Sequence, residues 1–193
     1  MFHIAIHFAL RISELVTLQL DDFRPHHDPE LAEKLGRWGT LTVTGKNDTT
    51  GTIPMREMSI HDLLEWYVTN VRQKILLRRN SKKDSGLCVY DDKEYVVANL
   101  LFPTERGGIV HPNTFRSRLN KIASQVNLPK KLKTHTLRHT GCTLMVPLYT
   151  PEIAQKYMRH RWLSTTLGYY HPNPLEAGNE VNAAFEGLFD DEE

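Results

Sequence analysis

Residues 40–55, TLTVTGKNDTTGTIPM, set two short runs rich in β-branched residues around a turn rich in Gly, Asn and Asp. That pattern predicts a β-hairpin. Around it, apolar residues recur mostly at helical spacing. Ile4, Phe8, Ile12, Leu15 and Leu18 predict a helix over residues 1–19. Ser59 is expected to cap a long helix over roughly 60–79, and residues 112–126 form a basic amphipathic helix. Another helix starts at Thr134 or His135, Pro151 opens one over 151–159, and a short one spans 163–170. RPHHDPELAEKLGRWG (24–39) reads as a loop with a short helix after Asp28-Pro29, and ERGG (105–108) as a turn. EYVVANLLFP (94–103) predicts a strand ended by Pro103. Such a chain is mainly α with a small antiparallel β-sheet, an α+β domain.

The 193 residues suit one domain plus a small appendage and can bury a real core. No apolar run has membrane-spanning length, and MFHIAIHFALRISEL lacks the basic start and small-residue cleavage site of a signal peptide. Cys88 and Cys142 supply neither a disulfide framework nor a zinc set, and read as reduced thiols of an intracellular protein. The formal net charge of +1 hides a segregation of charge. Residues 106–161 hold eleven Lys and Arg against Glu152 alone, a net +10, whereas residues 173–193 carry −7. Arg72 to Lys83 is a second basic run. A basic central block points to a polyanion such as nucleic acid, or, more blandly, to solvated helix faces.

In THTLRHT (134–140), His135 and Arg138 stand three residues apart on one helix face. A guanidinium fork with an imidazole suits a phosphate. His135 and His139 also have the spacing of a zinc helix, but Thr136 stands where the metalloprotease pattern needs Glu. His139 is therefore read as a packed or hydrogen-bonded core histidine. Downstream, YMRHRWLSTTLGYYHP (157–172) places Tyr169 nine and Tyr170 ten residues after His160. Physical chemistry alone permits either tyrosine as a nucleophile.

His-x-Leu-Arg-His-Thr, then a helix, then His-x-x-x-Ser-Thr-Thr-x-x-Tyr-x-His resembles the tyrosine recombinases, the phage integrases. In that family the nucleophile lies nine residues after the third-motif histidine and two before a further histidine. Tyr169 meets both spacings and Tyr170 neither. ALRISELVTLQLDDF (9–23) is similar to the family's first arginine motif, with Arg11 as the arginine and Glu14 as its supporting acid. In TGKNDTTGTIPM (44–55), Lys46 precedes Pro54 by eight residues, as the family's hairpin lysine does. The resemblance runs from about residue 4 to residue 172. It departs at Phe8-Ala9, where Thr-Gly is usual, at Met158-Arg159, where Leu-Gly is usual, and at Thr49 and Gly51, where many relatives carry basic residues.

The resemblance implies a catalytic domain over 1–175 that breaks and rejoins DNA without metal or nucleotide. Tyr169 would attack a backbone phosphate and form a 3′-phosphotyrosyl link. Arg11 and Arg138 would clamp the non-bridging oxygens, and His160 would add a donor. Lys46 would protonate the leaving 5′-oxygen, and His135 would accept or orient a proton near the tyrosine. Arg159, Arg161, Lys133, Arg116 and Arg118 are expected to contact DNA. The implied partner is double-stranded DNA, bound by a homotetramer that is monomeric when free, and the implied location is the cytoplasm of a bacterium, phage or transposon host. The acidic segment 176–193, with Val181, Phe185, Leu188 and Phe189 on an apolar face, is expected to form a helix that docks on a neighbouring protomer. The family's N-terminal DNA-grasping domain is expected to be absent from this chain. Type IB topoisomerase chemistry, a silent DNA-binding relic and, more remotely, a zinc hydrolase are the alternatives.

Overall fold

The computed structural model describes residues 1–45, 50–55, 58–78, 86–128 and 132–170. The architecture is mainly helical, as the periodicity predicts, with two small antiparallel sheets among the described residues, one more than expected. Lys46, Lys130, Lys131 and residues 171–193, including the expected terminal helix, lie outside the described residues.

The predicted N-terminal helix is broken in two. Helix α1 spans Phe2–His7 and α2 spans Ile12–Val16. Between them Ala9 adopts a left-handed conformation with φ 46°, which is disfavoured for a residue with a Cβ. The break turns the Ala9 carbonyl inward and puts Arg11 at the N-cap of α2, with extended backbone. Ile4, Phe8, Leu15 and Leu18 nevertheless all enter one core, as their spacing predicts.

A chain reversal then carries Phe23–Arg24 (β1) beside the predicted hairpin, whose strands are Thr40–Thr44 (β2) and Thr50–Pro54 (β3). The sheet order is β1-β2-β3, with Phe23 opposite Leu41 and Val43 opposite Gly51. Leu41, Val43 and Ile53 face the core, while Thr42 pairs with Thr52 and Thr44 with Thr50 on the outer face. The short helix after Asp28-Pro29 is α3, Pro29–Leu35, where the Asp28 carboxylate accepts from the Glu30 and Leu31 N–H groups.

The predicted long helix is a continuous helical rod from Met58 to Arg78, with α4 (Met58–Trp66) and α5 (Gln73–Arg78) joined by a π-helical stretch over Tyr67–Arg72. Ser59 sits inside α4 rather than capping it. The π stretch directs Arg72 inward, where its guanidinium donates to the carbonyls of Leu100 and Ala98. Arg72 is thus a buried staple, not part of a basic surface.

The expected strand over 94–103 is a hairpin shifted upstream. Leu87–Tyr90 (β4) pairs with Lys93–Val96 (β5) around Asp91-Asp92, both at positive φ. Beyond β5, single bridges tie Leu100 to Gln19 and Pro103 to Ile109. Helix α6 runs Pro112–Gln125 and α7 Thr134–Met145. Helix α8 covers Pro151–Met158 and α9 Leu163–Leu167. Tyr169 and Tyr170 therefore follow α9 rather than lying within it. A second, smaller core of Ala9, Cys142, Met145, Val146, Ala154 and Met158 sits under these last helices, with both tyrosines packed against it.

Candidate functional site

Glu14 is the centre of the site. It is 4% exposed. Its Oε2 accepts the backbone N–H of Arg11 at 2.7 Å and Arg159 Nη2 at 3.0 Å, and its Oε1 accepts Arg11 Nη1 at 2.8 Å. Arg138 Nη1 stands 3.8 Å from Oε2. Three guanidinium groups around one carboxylate leave an excess of positive charge, which is what a phosphodiester needs. Burial alone would raise the Glu14 pKa, but Arg159 and the two contacts from Arg11 outweigh it and hold the carboxyl below its usual range.

Arg138 reaches this centre from the inner face of α7. Its Nη1 donates to the Ala9 carbonyl at 2.7 Å and its Nη2 to the carbonyl of Met158. The broken N-terminal helix therefore holds an arginine 129 positions away in sequence. Burial, with Arg11 and Arg159 nearby, brings the Arg138 pKa down to about 10, so it stays charged at neutral pH. Arg11 is the most open of the three, its side chain 37% exposed.

Arg159 differs from expectation. Expected as a DNA contact, it has a side chain 1% exposed and turned inward. It occupies the left-handed C-cap of α8 at φ 53°, a conformation that suits glycine. From there it donates to Glu14, to the Ala9 carbonyl at 3.3 Å and to the Tyr157 carbonyl at 3.0 Å. Strand β3 lies directly on it, since a Cβ on Gly51 would come within 2.7 Å of Arg159 Cγ. Gly51 thus lets the hairpin that leads to Lys46 close over the arginine cluster. Arg116, Arg118, Lys133 and Arg161, the other expected DNA contacts, are exposed.

The two tyrosines part company here. Tyr170 donates its hydroxyl to the Tyr149 carbonyl at 2.7 Å, a packing contact. The Tyr169 hydroxyl points to α7, where it meets His139 Nδ1 at 2.6 Å. The His160 ring lies nearly parallel to Tyr169 with centroids 5.9 Å apart, and His135 meets His139 edge-on at 4.3 Å. Residues 135, 138, 139 and 142 thus share one face of α7. His139 is exposed rather than buried in the core. Its fourth-residue spacing from His135 was the signal that it shares this face. Burial and the nearby Cys142 raise the Tyr169 pKa, outweighing the opposite pull of Arg138. The surrounding cations do not by themselves activate the free phenol.

His160 pairs through Nδ1 with the buried Thr166 hydroxyl at 3.0 Å. Burial, then Arg138, Arg11, Arg159 and His135, lowers its pKa to about 4. At neutral pH it is an uncharged imidazole. Between the ordinary value of 6.5 and about 4, the unfolded chain binds a proton that the folded one refuses, so stability falls as pH drops through that window. His160→Gln is expected to flatten this part of the profile, as read from urea midpoints between pH 7 and pH 4. An unchanged slope would mean that another group supplies the proton linkage.

A hairpin-capped helical domain with this arginine, histidine and tyrosine cluster has the fold of a tyrosine recombinase catalytic domain. Among solved structures it is similar to the Tn1549 transposon integrase in complex with transposon right end DNA, with a TM-score of 0.64 and 22% identity over 97% of this chain and 57% of that one. The XerH recombinase bound to its difH substrate superposes with a TM-score of 0.63 and 18% identity, covering 93% of this chain and 44% of that one. Among curated sequences, the tyrosine recombinase XerD of Shewanella oneidensis is 27% identical over 84% of this chain and 45% of its own length. The integrase of Staphylococcus phage L54a is 29% identical over 93% of this chain and 49% of its own length. The phage integrase family model matches residues 1–176, and the chain belongs to that family. It spans about half the length of these curated relatives. No helix among the described residues is long and apolar enough to cross a membrane.

Proposed function

We propose that this chain carries the catalytic centre of a site-specific DNA recombinase that cuts and rejoins strands through a 3′-phosphotyrosyl intermediate. The observation that carries the reading is the opposite fate of the paired tyrosines. The Tyr169 hydroxyl faces the histidine and arginine face of α7, whereas the Tyr170 hydroxyl is held by a packing carbonyl.

In this mechanism a backbone phosphate docks against Arg11 and Arg138, which neutralise the charge gathering on its non-bridging oxygens. Glu14 holds those two guanidinium groups in place from beneath, and Arg159 in turn holds the Glu14 carboxylate. His160, neutral at working pH, donates a hydrogen bond to the same oxygens. The Tyr169 oxygen attacks phosphorus in line with the 5′-oxygen, which leaves with a proton from Lys46. The phosphotyrosyl bond conserves the energy of the broken phosphodiester, so a 5′-hydroxyl from another strand can reseal the chain. Exposed Arg116, Arg118, Lys133 and Arg161 supply contacts to duplex DNA, and exchange between two duplexes calls for a tetramer assembled on the DNA.

The test is capture of the intermediate. The protein is incubated with nicked duplex DNA in EDTA and denatured in SDS. The reading predicts an adduct that Tyr169→Phe abolishes and Tyr170→Phe leaves intact. An adduct lost only with Tyr170→Phe would overturn the assignment. Duplex binding should also weaken steeply with salt, because it rests on phosphate neutralisation. A tight complex indifferent to salt between 50 and 200 mM would contradict it.

A further inference from the structure

Trp162 is a large aromatic that the fold leaves in solvent. It is 63% exposed and joins neither apolar core among the described residues. It stands at the N-cap of α9, yet its side chain makes no capping hydrogen bond. Neither packing nor capping accounts for it. We propose that Trp162, together with Arg161, is a stacking platform for an unpaired base of the cleaved strand, beside the phosphate that Tyr169 attacks. This rests on the function proposed above, which brings DNA to the site.

Three observations carry it. First, the Arg161 guanidinium lies over the indole, 5.1 Å from the ring centroid, so a flat aromatic face is paired with a cation. That pair suits a nucleotide, whose base stacks while its phosphate is neutralised. Second, the platform is pinned between α8 and α9. Gln155 Nε2 donates to the carbonyls of His160 and Arg161 at 3.2 and 3.4 Å, and the Trp162 carbonyl accepts the Thr165 N–H at 3.1 Å. Third, it is close to the chemistry. Trp162 lies two residues beyond His160, a span of at most about 7 Å of chain, and the His160 ring is parallel to that of Tyr169. A phosphate at the arginine cluster puts its flanking nucleotide within reach of the indole. Bases inside an intact duplex are stacked on each other. One becomes free for this platform when the strands part at the break, as exchange requires, because a cleaved end must leave its complement. Trp66, the other exposed tryptophan, lies on α4 beside the acidic Glu65.

The experiment reads Trp162 fluorescence in the full chain carrying Trp66→Phe and Tyr169→Phe. These changes leave buried Trp38 as a constant background and prevent covalent reaction. The probes are a nicked duplex fully paired at the break, the same duplex with mismatched nucleotides flanking the nick, and a third with abasic sites in their place. Anisotropy of a dye on the DNA gives the fraction bound. The mismatched duplex is expected to quench Trp162 and to bind about tenfold more tightly than the abasic one. Trp162→Leu should abolish that preference and leave the salt dependence of binding unchanged, whereas Trp162→Phe should keep part of it. Equal affinity for the mismatched and abasic duplexes, with Trp162 emission unchanged, would overturn the inference. So would quenching that grows with protein concentration in the absence of DNA, which would mark the indole as a contact between copies of this chain. Either result leaves a Tyr169-dependent adduct possible and so spares the proposed function. No such adduct from the unsubstituted protein would overturn both.

Discussion

Glu14→Ala is expected to lower folding stability by about 3–5 kcal/mol, the usual consequence of removing one partner from a buried ionic cluster. The effect comes less from the lost bonds than from what remains. Arg138 and Arg159 are 2% and 5% exposed and would face each other without a counter-charge. Arg11 adds little to the energy, because its own side chain is partly solvated. Urea unfolding followed by circular dichroism measures the change. The physical cause is tested by a double-mutant cycle with Arg159→Gly, a replacement that fits the left-handed backbone at this position. If the uncompensated Arg159 is the source of the loss, the double variant should be more stable than the sum of the single changes predicts. Strict additivity would mean that Glu14 and Arg159 do not depend on each other. Covalent capture should fall with Glu14→Ala, since both clamping arginines lose their anchor.

Gly141→Ala is expected to be the second large change, and its sign is diagnostic. Within an isolated helix the replacement would add roughly 1 kcal/mol of stability. Here α7 crosses α1 so closely that an added Cβ would lie 2.3 Å from the Ile6 carbonyl oxygen and 3.1 Å from Ala9 Cβ. One is backbone and the other is fixed to it, so neither can swing aside. The expected outcome is a loss of about 1–3 kcal/mol from overpacking, with α7 pushed off α1. That movement would also stretch the 2.7 Å bond from Arg138 to the Ala9 carbonyl and so reduce adduct formation. Thermal melts of the two proteins decide it. A higher melting temperature for Gly141→Ala would show that the helices are not this tightly apposed.

Local signals carried much of this fold. The β2–β3 hairpin, the Asp28-capped α3 and helices α6 to α8 follow directly from alternation, caps and periodicity. The misses share a cause: in each, a distant group overrides the local pattern. Apolar spacing runs unbroken across residues 1–19, yet the helix breaks at Ala9 because Arg138 and Arg159 take its carbonyl. Nothing around Arg72 announces that it turns inward to satisfy the carbonyls beyond β5. Strand β4 lies upstream of the expected strand, where Asp91-Asp92 is a weaker turn signal than Asn-Gly. Family resemblance picked out Arg11, Glu14, His135, Arg138, His160 and Tyr169, and the fold brings these residues to one centre. Sequence shows residue type and spacing but not burial, so it does not place Arg159 beneath the cluster or His139 at the surface. An arginine where relatives end a helix with glycine was the available clue for the first. The shared helix face with His135 was the clue for the second.

The mechanism is decided by which atom of the protein becomes joined to DNA. The most direct measurement is mass spectrometry of the trapped adduct after digestion with trypsin and nuclease, locating the nucleotide remnant within LGYYHP. A 3′-linked nucleotide is expected on Tyr169 and none on Tyr170. A remnant on Tyr170, or linkage through a 5′-phosphate, would contradict the mechanism and the role given to the arginine cluster.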